Sequence, residues 1–152
     1  MTFERTHDAA LIRRVLTDPS VYGKISDDGC PPPSEFEVKD TQAACYVSVY
    51  EADELLGLFL LVPQNAVCWE IHTCLLPSAY GSLARRAAEG ILDWTWTNTP
   101  CQRIVTNVPA YNRLALRFAE GAGLTQFGLN PCSYLKGGEL FDQILLGISR
   151  PA

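Results

Sequence analysis

The sequence has no basic stretch, which limits what the protein can bind. Its 17 Asp and Glu residues outnumber its 12 Lys and Arg residues, so the formal net charge is -5 and the pI is about 4.9. Arginines adjoin one another only at Arg13-Arg14 and Arg85-Arg86. Because proteins that bind nucleic acids usually carry a basic patch, nucleic acid is not an expected partner.

Long hydrophobic runs are also missing. The longest, Leu55 to Val62, is interrupted by Gly57 and is far shorter than the ~20 apolar residues that cross a bilayer. The N-terminal residues MTFERTHDAA have no apolar segment after a basic one, which makes them unlike a signal peptide. We therefore expect a cytoplasmic protein without a membrane partner.

CxxC pairs are absent, although the chain has six cysteines. Most lie in apolar stretches such as ACYVSVY, and no secretion signal accompanies them, so reduced thiols are expected. One predicted strand contains Cys68, His72 and Cys74. Cys68 and Cys74 would lie ~20 Å apart along it, so no metal site is predicted. Repeats and low-complexity segments are absent too, and the length suits a single domain over residues 1–152.

The first half of the chain predicts a short strand and two helices, followed by a meander of strands. Asp8 is the predicted N-cap of a helix with an apolar stripe from Ala9 to Leu16, and DPSVYGKISDD predicts a second, short helix. The three consecutive prolines of GCPPPSEFE predict a loop. Three predicted strands follow, at Cys45 to Glu51, Leu55 to Val62 and Val67 to Leu76.

The second half alternates between helices and strands. Helices are predicted over Gly81 to Thr97 and over Asn112 to Ala122, the second with Leu114 on its apolar face. Strands are predicted over Arg103 to Val108, Leu124 to Leu129 and Leu140 to Ile148, the last two around a PCSYLKGGE loop. A strand–helix–strand unit implies a right-handed crossover with parallel pairing. The predicted class is α/β, a central twisted mixed sheet of about six to seven strands with helices on both faces.

Residues 107–124, NVPAYNRLALRFAEGAGL, place an Asn at the start of the last helix. Ala115 stands three residues after Asn112, Phe118 six after it and Gly123 eleven after it. Taken alone, these residues fit an N-cap followed by core positions. The spacing also resembles the cofactor-binding helix of the GNAT acyltransferase superfamily, whose members transfer an acyl group from coenzyme A (CoA) to an amine.

The upstream segment EIHTCLLPSAYGSLARRAAEG strengthens this resemblance, which is strongest from Trp69 to Leu124 and covers most of the chain. It implies the GNAT fold, with acetyl-CoA as acyl donor co-substrate and no metal. It also implies that Asn112, Ala115 and Phe118 contact the cofactor. Leu75 and Leu76 would offer backbone groups to its pantetheine arm.

The turn after this strand carries the second part of the resemblance. In the superfamily, its backbone N–H groups and the positive end of the following helix hold the cofactor pyrophosphate. The residues implied here are Ala79, Tyr80, Gly81, Ser82, Leu83 and Ala84. Tyr80 stands where Arg is commonest, and Leu83 and Arg85 stand where glycines usually fall. Their side chains could crowd the phosphates, unless Ala84 and the small residues near it restore room.

Glu70 and His72 are the predicted catalytic residues. They lie two apart on a strand and so face the same side. Acyl transfer requires that the amine lose a proton to a base, and a neutral imidazole suits this role near neutral pH. A Glu would need its pKa raised by burial. The alternative is that the two side chains satisfy one another in a polar groove.

The proton donor for the departing thiolate stays open. The superfamily's usual tyrosine is Phe118 here, whose ring has no proton to give. Tyr80, Tyr111, Tyr134 or water could replace it. A thiolate of ordinary pKa can also leave without a strong acid.

Two hypotheses of function follow. The first is an N-acyltransferase acting on an amine of a small molecule or a protein. The second is a catalytically weak or inactive GNAT-like module, a structural or assembly protein such as a bacteriophage virion component. Phe118, Leu83 and Arg85 motivate the second hypothesis. Trp94 and Trp96 would then contact an assembly partner or a second copy.

Overall fold

Seven strands form one sheet in the computed structural model, which describes all 152 residues. The strands are β1 (Thr2–Thr6), β2 (Cys45–Glu51), β3 (Glu54–Pro63), β4 (Cys68–Leu75), β5 (Arg103–Pro109), β6 (Thr125–Lys136) and β7 (Glu139–Ser149). The helices are α1 (Ala9–Leu16), α2 (Pro19–Ile25), α3 (Ser82–Asn98) and α4 (Arg113–Gly121), and short 3₁₀ turns cover Pro33–Glu35 and Pro77–Ala79. The predicted element order is confirmed.

The sheet order is β1-β2-β3-β4-β5-β7-β6, and β4 with β5 is its parallel pair. Every other neighbouring pair is antiparallel. The predicted mixed sheet with helices on both faces is therefore confirmed. None of the helices combines the length and the apolarity needed to span a bilayer.

Each face of the sheet has its own hydrophobic core. On the α1–α2 face, helix residues such as Ile12 and Val21 pack with Leu58 and Cys74 of the sheet. On the α3–α4 face the core is larger, and Ile91 of α3 belongs to it together with Ile71 and Leu75 of β4. Alternate residues of β4 thus belong to opposite cores, as the period of two in a strand requires. Glu70 and His72 share their parity with Cys74 and belong to the α1–α2 face.

Strands β4 and β5 separate soon after they meet. Their parallel pairing covers only Cys68–Glu70 with Arg103–Val105. Beyond that point β4 continues along β3 as far as Leu75, whereas β5 continues along β7 as far as Pro109. The sheet therefore opens into a wedge between β4 and β5, with the N-termini of α3 and α4 beyond the strand ends.

Gly57 holds the end of β4 against β3. Its φ of +131° lies outside the range of ordinary L-residues, and an added Cβ would lie 2.3 Å from the carbonyl oxygen of Cys74. Just beyond it, the N–H of Leu76 donates to the carbonyl of Leu56 at 2.8 Å. A side chain at Gly57 would push the two strands apart, so this glycine keeps the end of β4 close to β3.

Two sequence expectations about β6 and α4 are wrong. The segment predicted as a PCSYLKGGE loop lies largely in β6, which passes Pro131 by a shift of register between Asn130 and Tyr134. Proline cannot donate to a strand ladder, so the strand bulges there instead of ending. Leu114, predicted on the apolar face of α4, is 78% exposed because it lies at the edge of the wedge.

The two tryptophans proposed as contacts with an assembly partner do not form an exposed patch. Trp96 is buried, and Trp94 is half-buried and packs against the core of the α3–α4 face. This corrects the expectation that they offer a docking surface. The second hypothesis thereby loses the surface that the sequence assigned to it.

Candidate active site

A cavity of about 600 Å³ occupies the wedge between β4 and β5; we call it the main cavity. It brings together most of the site residues predicted from the sequence: Glu70, His72, Leu75, Tyr80, Gly81, Ala84, Asn112, Ala115 and Phe118. Leu76, Ala79, Ser82 and Leu83 do not line it. No group of three or more His, Cys, Asp and Glu side chains could hold a metal ion.

Glu70 and His72 form a contact pair in the main cavity. His72 Nε2 lies 3.5 Å from Glu70 Oε1, and the His72 side chain keeps 43% of its surface exposed. Burial lowers the pKa of His72 from its ordinary value, and the nearby Glu70 carboxylate opposes that shift. The imidazole is therefore neutral at pH 7 while remaining open to the cavity.

Two amide side chains surround the Glu70 carboxylate. Asn107 Nδ2, on β5, lies 3.5 Å from Oε1, and Gln64 Nε2 lies 3.5 Å from Oε2. These distances are at the outer limit of hydrogen bonding, so the carboxylate has acceptor capacity to spare. Glu70 can thus stabilise a charged imidazolium.

Strand β4 offers a free backbone edge to the cavity. The Ile71 carbonyl faces β5, since it accepts from Thr106 Oγ1 at 3.1 Å. The backbone groups of alternate residues point the same way, so those of Thr73 and Leu75 also face the wedge, where β5 no longer pairs with them. Leu76 was predicted to offer its backbone too, and this is corrected because its N–H is already bonded to β3.

The turn between β4 and α3 leaves several N–H groups free. The N–H groups of Ala79 and Tyr80 are used inside the turn, at 2.9 and 3.1 Å from the carbonyls of Leu76 and Pro77. Those from Gly81 to Ala84 donate no backbone hydrogen bond, and no side chain caps α3. An uncapped helix N-terminus with free N–H groups is suited to an anion.

The side chains expected to crowd this turn point away from it. Leu83 packs against the core of the α3–α4 face. Arg85, which is 75% exposed, pairs with Glu89 at 3.3 Å one helical turn on. Ala79 is fully buried and its N–H bonds to the Leu76 carbonyl, so neither its side chain nor its N–H is free for a ligand. The loss of the usual glycines therefore does not close the turn.

Asn112 caps α4 and also lines the main cavity. Its Oδ1 accepts from the N–H of Ala115 at 3.1 Å, which confirms the N-cap interpretation. Its amide nitrogen makes no hydrogen bond within the chain and remains available as a donor. Behind it, small Ala115 and the ring of Phe118 form the wall of the cavity on the α4 side.

Two of the three candidate tyrosines are poorly placed to act as an acid, whereas the third, Tyr80, keeps its O–H proton. Tyr134 lines the cavity, but its hydroxyl donates to the Ser26 carbonyl at 2.9 Å and burial raises its pKa to about 12. Tyr111 does not line the main cavity; its ring packs edge-on against Phe141 with centroids 4.6 Å apart. The Tyr80 hydroxyl accepts a hydrogen bond from Lys24 Nζ at 2.7 Å.

Comparison with known proteins places the chain in a family. The model of a family described as a protein of unknown function, DUF2824, matches residues 6–135. The chain belongs to this family. No curated protein matches its sequence.

Solved structures that share little sequence identity with this chain match its fold over nearly its whole length. A chimera of the spermidine N-acetyltransferase SpeG from Vibrio cholerae with hSSAT aligns with a TM-score of 0.79 and 20% identity, covering 97% of this chain and 94% of that one. A crystal structure of the Vibrio cholerae spermidine N-acetyltransferase in complex with CoA and spermine aligns at 0.73 and 19%, with coverages of 97% and 94%. This DUF2824 chain thus has the GNAT fold, which confirms the predicted resemblance.

Several residues that line the cavity were missed by sequence reasoning. Thr73, Asn107, Gln143 and Lys24 belong to the lining. Asn107 and Thr73 lie on predicted strands, but only the register between β4 and β5 places Asn107 beside Glu70. Lys24 carries no such signal, because only the tertiary structure brings α2 to the turn after β4.

Proposed function

We propose that the chain is a CoA-dependent N-acyltransferase that transfers an acyl group, acetyl in the simplest case, to an amine. The observation that carries this proposal is the main cavity, which joins a free strand edge, an uncapped helix N-terminus and the Glu70–His72 pair in one wedge of the sheet. The spermidine N-acetyltransferases of similar fold support it by analogy of fold.

The residues of the wedge fit CoA in their chemistry. The free N–H groups from Gly81 to Ala84 suit its pyrophosphate, and no acidic residue lies in the first turn of α3 to repel it. The backbone of Thr73 and Leu75 suits the amide groups of the pantetheine arm, which can pair with a strand edge. Asn112 would add its unused amide nitrogen. When bound, acetyl-CoA supplies an activated thioester.

His72 is the proposed general base. It is neutral at pH 7, it is open to the cavity, and it lies on the α1–α2 face. An amine that approaches from that face would lose its proton to the imidazole as its nitrogen attacks the thioester carbonyl. Glu70 then stabilises the imidazolium across 3.5 Å.

The departing thiolate needs little help from this chain. Its protonated form is an ordinary thiol, with a pKa near 8.5, so the thiolate is a tolerable leaving group near neutral pH. Phe118 has no hydroxyl and Tyr134 donates its proton to Ser26, so we assign the proton to the imidazolium of His72, to water or to Tyr80, which keeps its O–H.

The first test is a thermal-shift measurement with acetyl-CoA, next to CoA alone. A ligand at about a hundred times its Kd adds roughly 2.7 kcal/mol to the free energy of unfolding, which raises the melting temperature clearly. We expect such a shift with both compounds. The absence of a shift at millimolar concentrations of both would contradict the proposal and favour the non-enzymatic hypothesis.

Thiol release in the presence of a panel of amines then tests turnover. The expected result is acceptor-dependent release of CoA from acetyl-CoA by the unaltered protein. Its loss in His72→Ala, with the acetyl-CoA thermal shift retained, would place the defect in the chemical step. Release that persists unchanged in that variant would remove the base role of His72.

A further inference from the structure

A second cavity, of about 520 Å³, borders the main one and is lined by Lys24, Asn112 and Leu114 in common with it. Three of its lining residues are basic, namely Lys24, Arg113 and Lys136, and none is acidic. The chain as a whole has 17 acidic and 12 basic residues. A cavity with only basic charges in an acidic protein is suited to an anionic ligand.

Lys24 lies at the junction of the two cavities, beside the turn that precedes α3. Its Nζ donates to the Tyr80 hydroxyl at 2.7 Å and lies 5.0 Å from the centre of the Tyr80 ring. It has no carboxylate partner. A phenol neutralises no charge, so this ammonium group is free to bind an anion without breaking an ion pair.

The helix that carries Lys24 is fixed over the wedge. Lys136 Nζ donates to the carbonyls of Gly23 and Ser26 at 2.9 and 2.5 Å, and Tyr134 donates to the same Ser26 carbonyl. These bonds attach the end of α2 to strand β6. Lys24 therefore holds its position beside the turn that precedes α3.

Arg113 supplies the second free cation. It is the first residue of α4, it is exposed, and its guanidinium makes no ion pair or hydrogen bond within the chain. The basic residues on α3 are not available in the same way. Arg85 pairs with Glu89, and Arg86 pairs with Glu51 at 2.9 Å.

We infer that Lys24 and Arg113, which line the second cavity, bind the phosphate groups of CoA together with the free N–H groups from Gly81 to Ala84. This inference rests on the proposed function and deepens it. CoA carries a pyrophosphate and a ribose phosphate, whereas the turn before α3 offers only backbone donors. Lys24 adds a charged donor next to that turn. Arg113 adds another at the start of α4, next to Asn112. Charge-assisted bonds to phosphate are stronger than a bond to a neutral phenol.

The test is titration calorimetry with CoA, dephospho-CoA and pantetheine on the unaltered protein, Lys24→Gln and Arg113→Gln. We expect each substitution to weaken CoA binding about tenfold, the order of one charge-assisted hydrogen bond. Pantetheine, which has no phosphate, should bind all three proteins alike. Raising the salt concentration should weaken CoA binding more in the unaltered protein than in the variants.

Two matched variants control for net charge and folding. Arg117→Gln removes the same charge one turn further along α4, and Lys39→Gln removes an exposed lysine of the loop before β2; neither residue lines either cavity. Both controls should bind CoA like the unaltered protein. If Lys24→Gln and Arg113→Gln also bind CoA normally, this inference is overturned and the proposed function stands. If the unaltered protein binds no CoA, both are overturned.

Discussion

At the scale of single residues, two side chains each have a structural and a chemical reason to be where they are. His72 lies on β4 with Glu70, and burial holds it neutral while the carboxylate favours its charged form. Asn112 caps the N-terminus of α4 with its side-chain oxygen and keeps its side-chain amide nitrogen free as a donor. Substitutions can separate the two reasons at each position.

The pH dependence of turnover tests His72. Because burial lowers the imidazole pKa below 6.5, the base is deprotonated above that pH, and kcat/KM should fall only as the pH drops below 6.5. His72→Ala should lower kcat/KM about a hundredfold or more and abolish this acid limb. Glu70→Gln removes the group that raises the pKa, so its acid limb should move to lower pH. An acid limb that survives in His72→Ala would contradict the assignment.

The two roles of Asn112 can be tested with a pair of variants. Asn112→Ser keeps an oxygen that can cap α4 but removes the amide donor, so its unfolding free energy should stay near that of the unaltered protein while CoA binding weakens. Asn112→Ala removes both and should cost about 1 kcal/mol of stability as well. Chemical denaturation and calorimetry measure the two effects separately. Normal CoA affinity in Asn112→Ser would leave only the capping role.

At the scale of elements, the site depends on β4 leaving β5 and staying with β3. The pairing with β5 ends at Glu70, and the close contact at Gly57 keeps the following residues on β3. The free backbone of Thr73 and Leu75 results from this separation. A substitution at Gly57 should therefore affect both the stability of the protein and the free backbone edge of β4.

Gly57→Ala tests this arrangement. The new Cβ would lie 2.3 Å from the Cys74 oxygen and 2.7 Å from the Leu75 Cα, at a φ that an alanine rarely adopts. We expect a loss of at least about 2 kcal/mol in unfolding free energy, measured by urea denaturation. Gly121→Ala, in α4 with nothing within 4 Å of its added Cβ, should be neutral or slightly stabilising. Equal stability of the two variants would contradict the role given to Gly57.

At the scale of the whole molecule, the first and last parts of the chain meet over the wedge. Asp28 accepts hydrogen bonds from the N–H groups of Gly137 and Gly138, both at 2.8 Å, and the N–H of Asp28 donates to the Leu135 carbonyl. These contacts join the segment after α2 to the turn between β6 and β7. They fix α2, and Lys24 with it, in place.

The pH dependence of stability tests this junction. The two backbone N–H groups lower the Asp28 pKa below its ordinary value of 3.8, so the carboxylate stabilises the fold above that pH and loses this effect as the pH falls through its folded pKa. Asp28→Ala should melt at a lower temperature than the unaltered protein at pH 7, and the difference should shrink below pH 3.8. Asp93→Ala, at an exposed carboxylate of α3, is the control and should change little. A difference that is independent of pH would contradict the role of the charge.

The elements and their caps could be predicted from the sequence, because they depend on residues close together in the chain. Asp8 and Asn112 are N-caps as predicted, since each bonds to N–H groups two or three residues on. The parity of Glu70 and His72 follows from the period of a strand in the same way. The PCSYLKGGE loop was mispredicted, because pairing with β7 carries β6 past Pro131 despite its missing donor.

Which of these residues share a site depends on contacts between distant parts of the chain. Leu83 and Arg85 looked like obstacles in the sequence, yet the orientation of α3 turns one into the core and the other to solvent. Lys24 had no signal at all, and it reaches Tyr80 across 56 positions of the chain. Contacts of such separation depend on how the sheet opens and how the helices pack on it, which no local pattern of residues encodes.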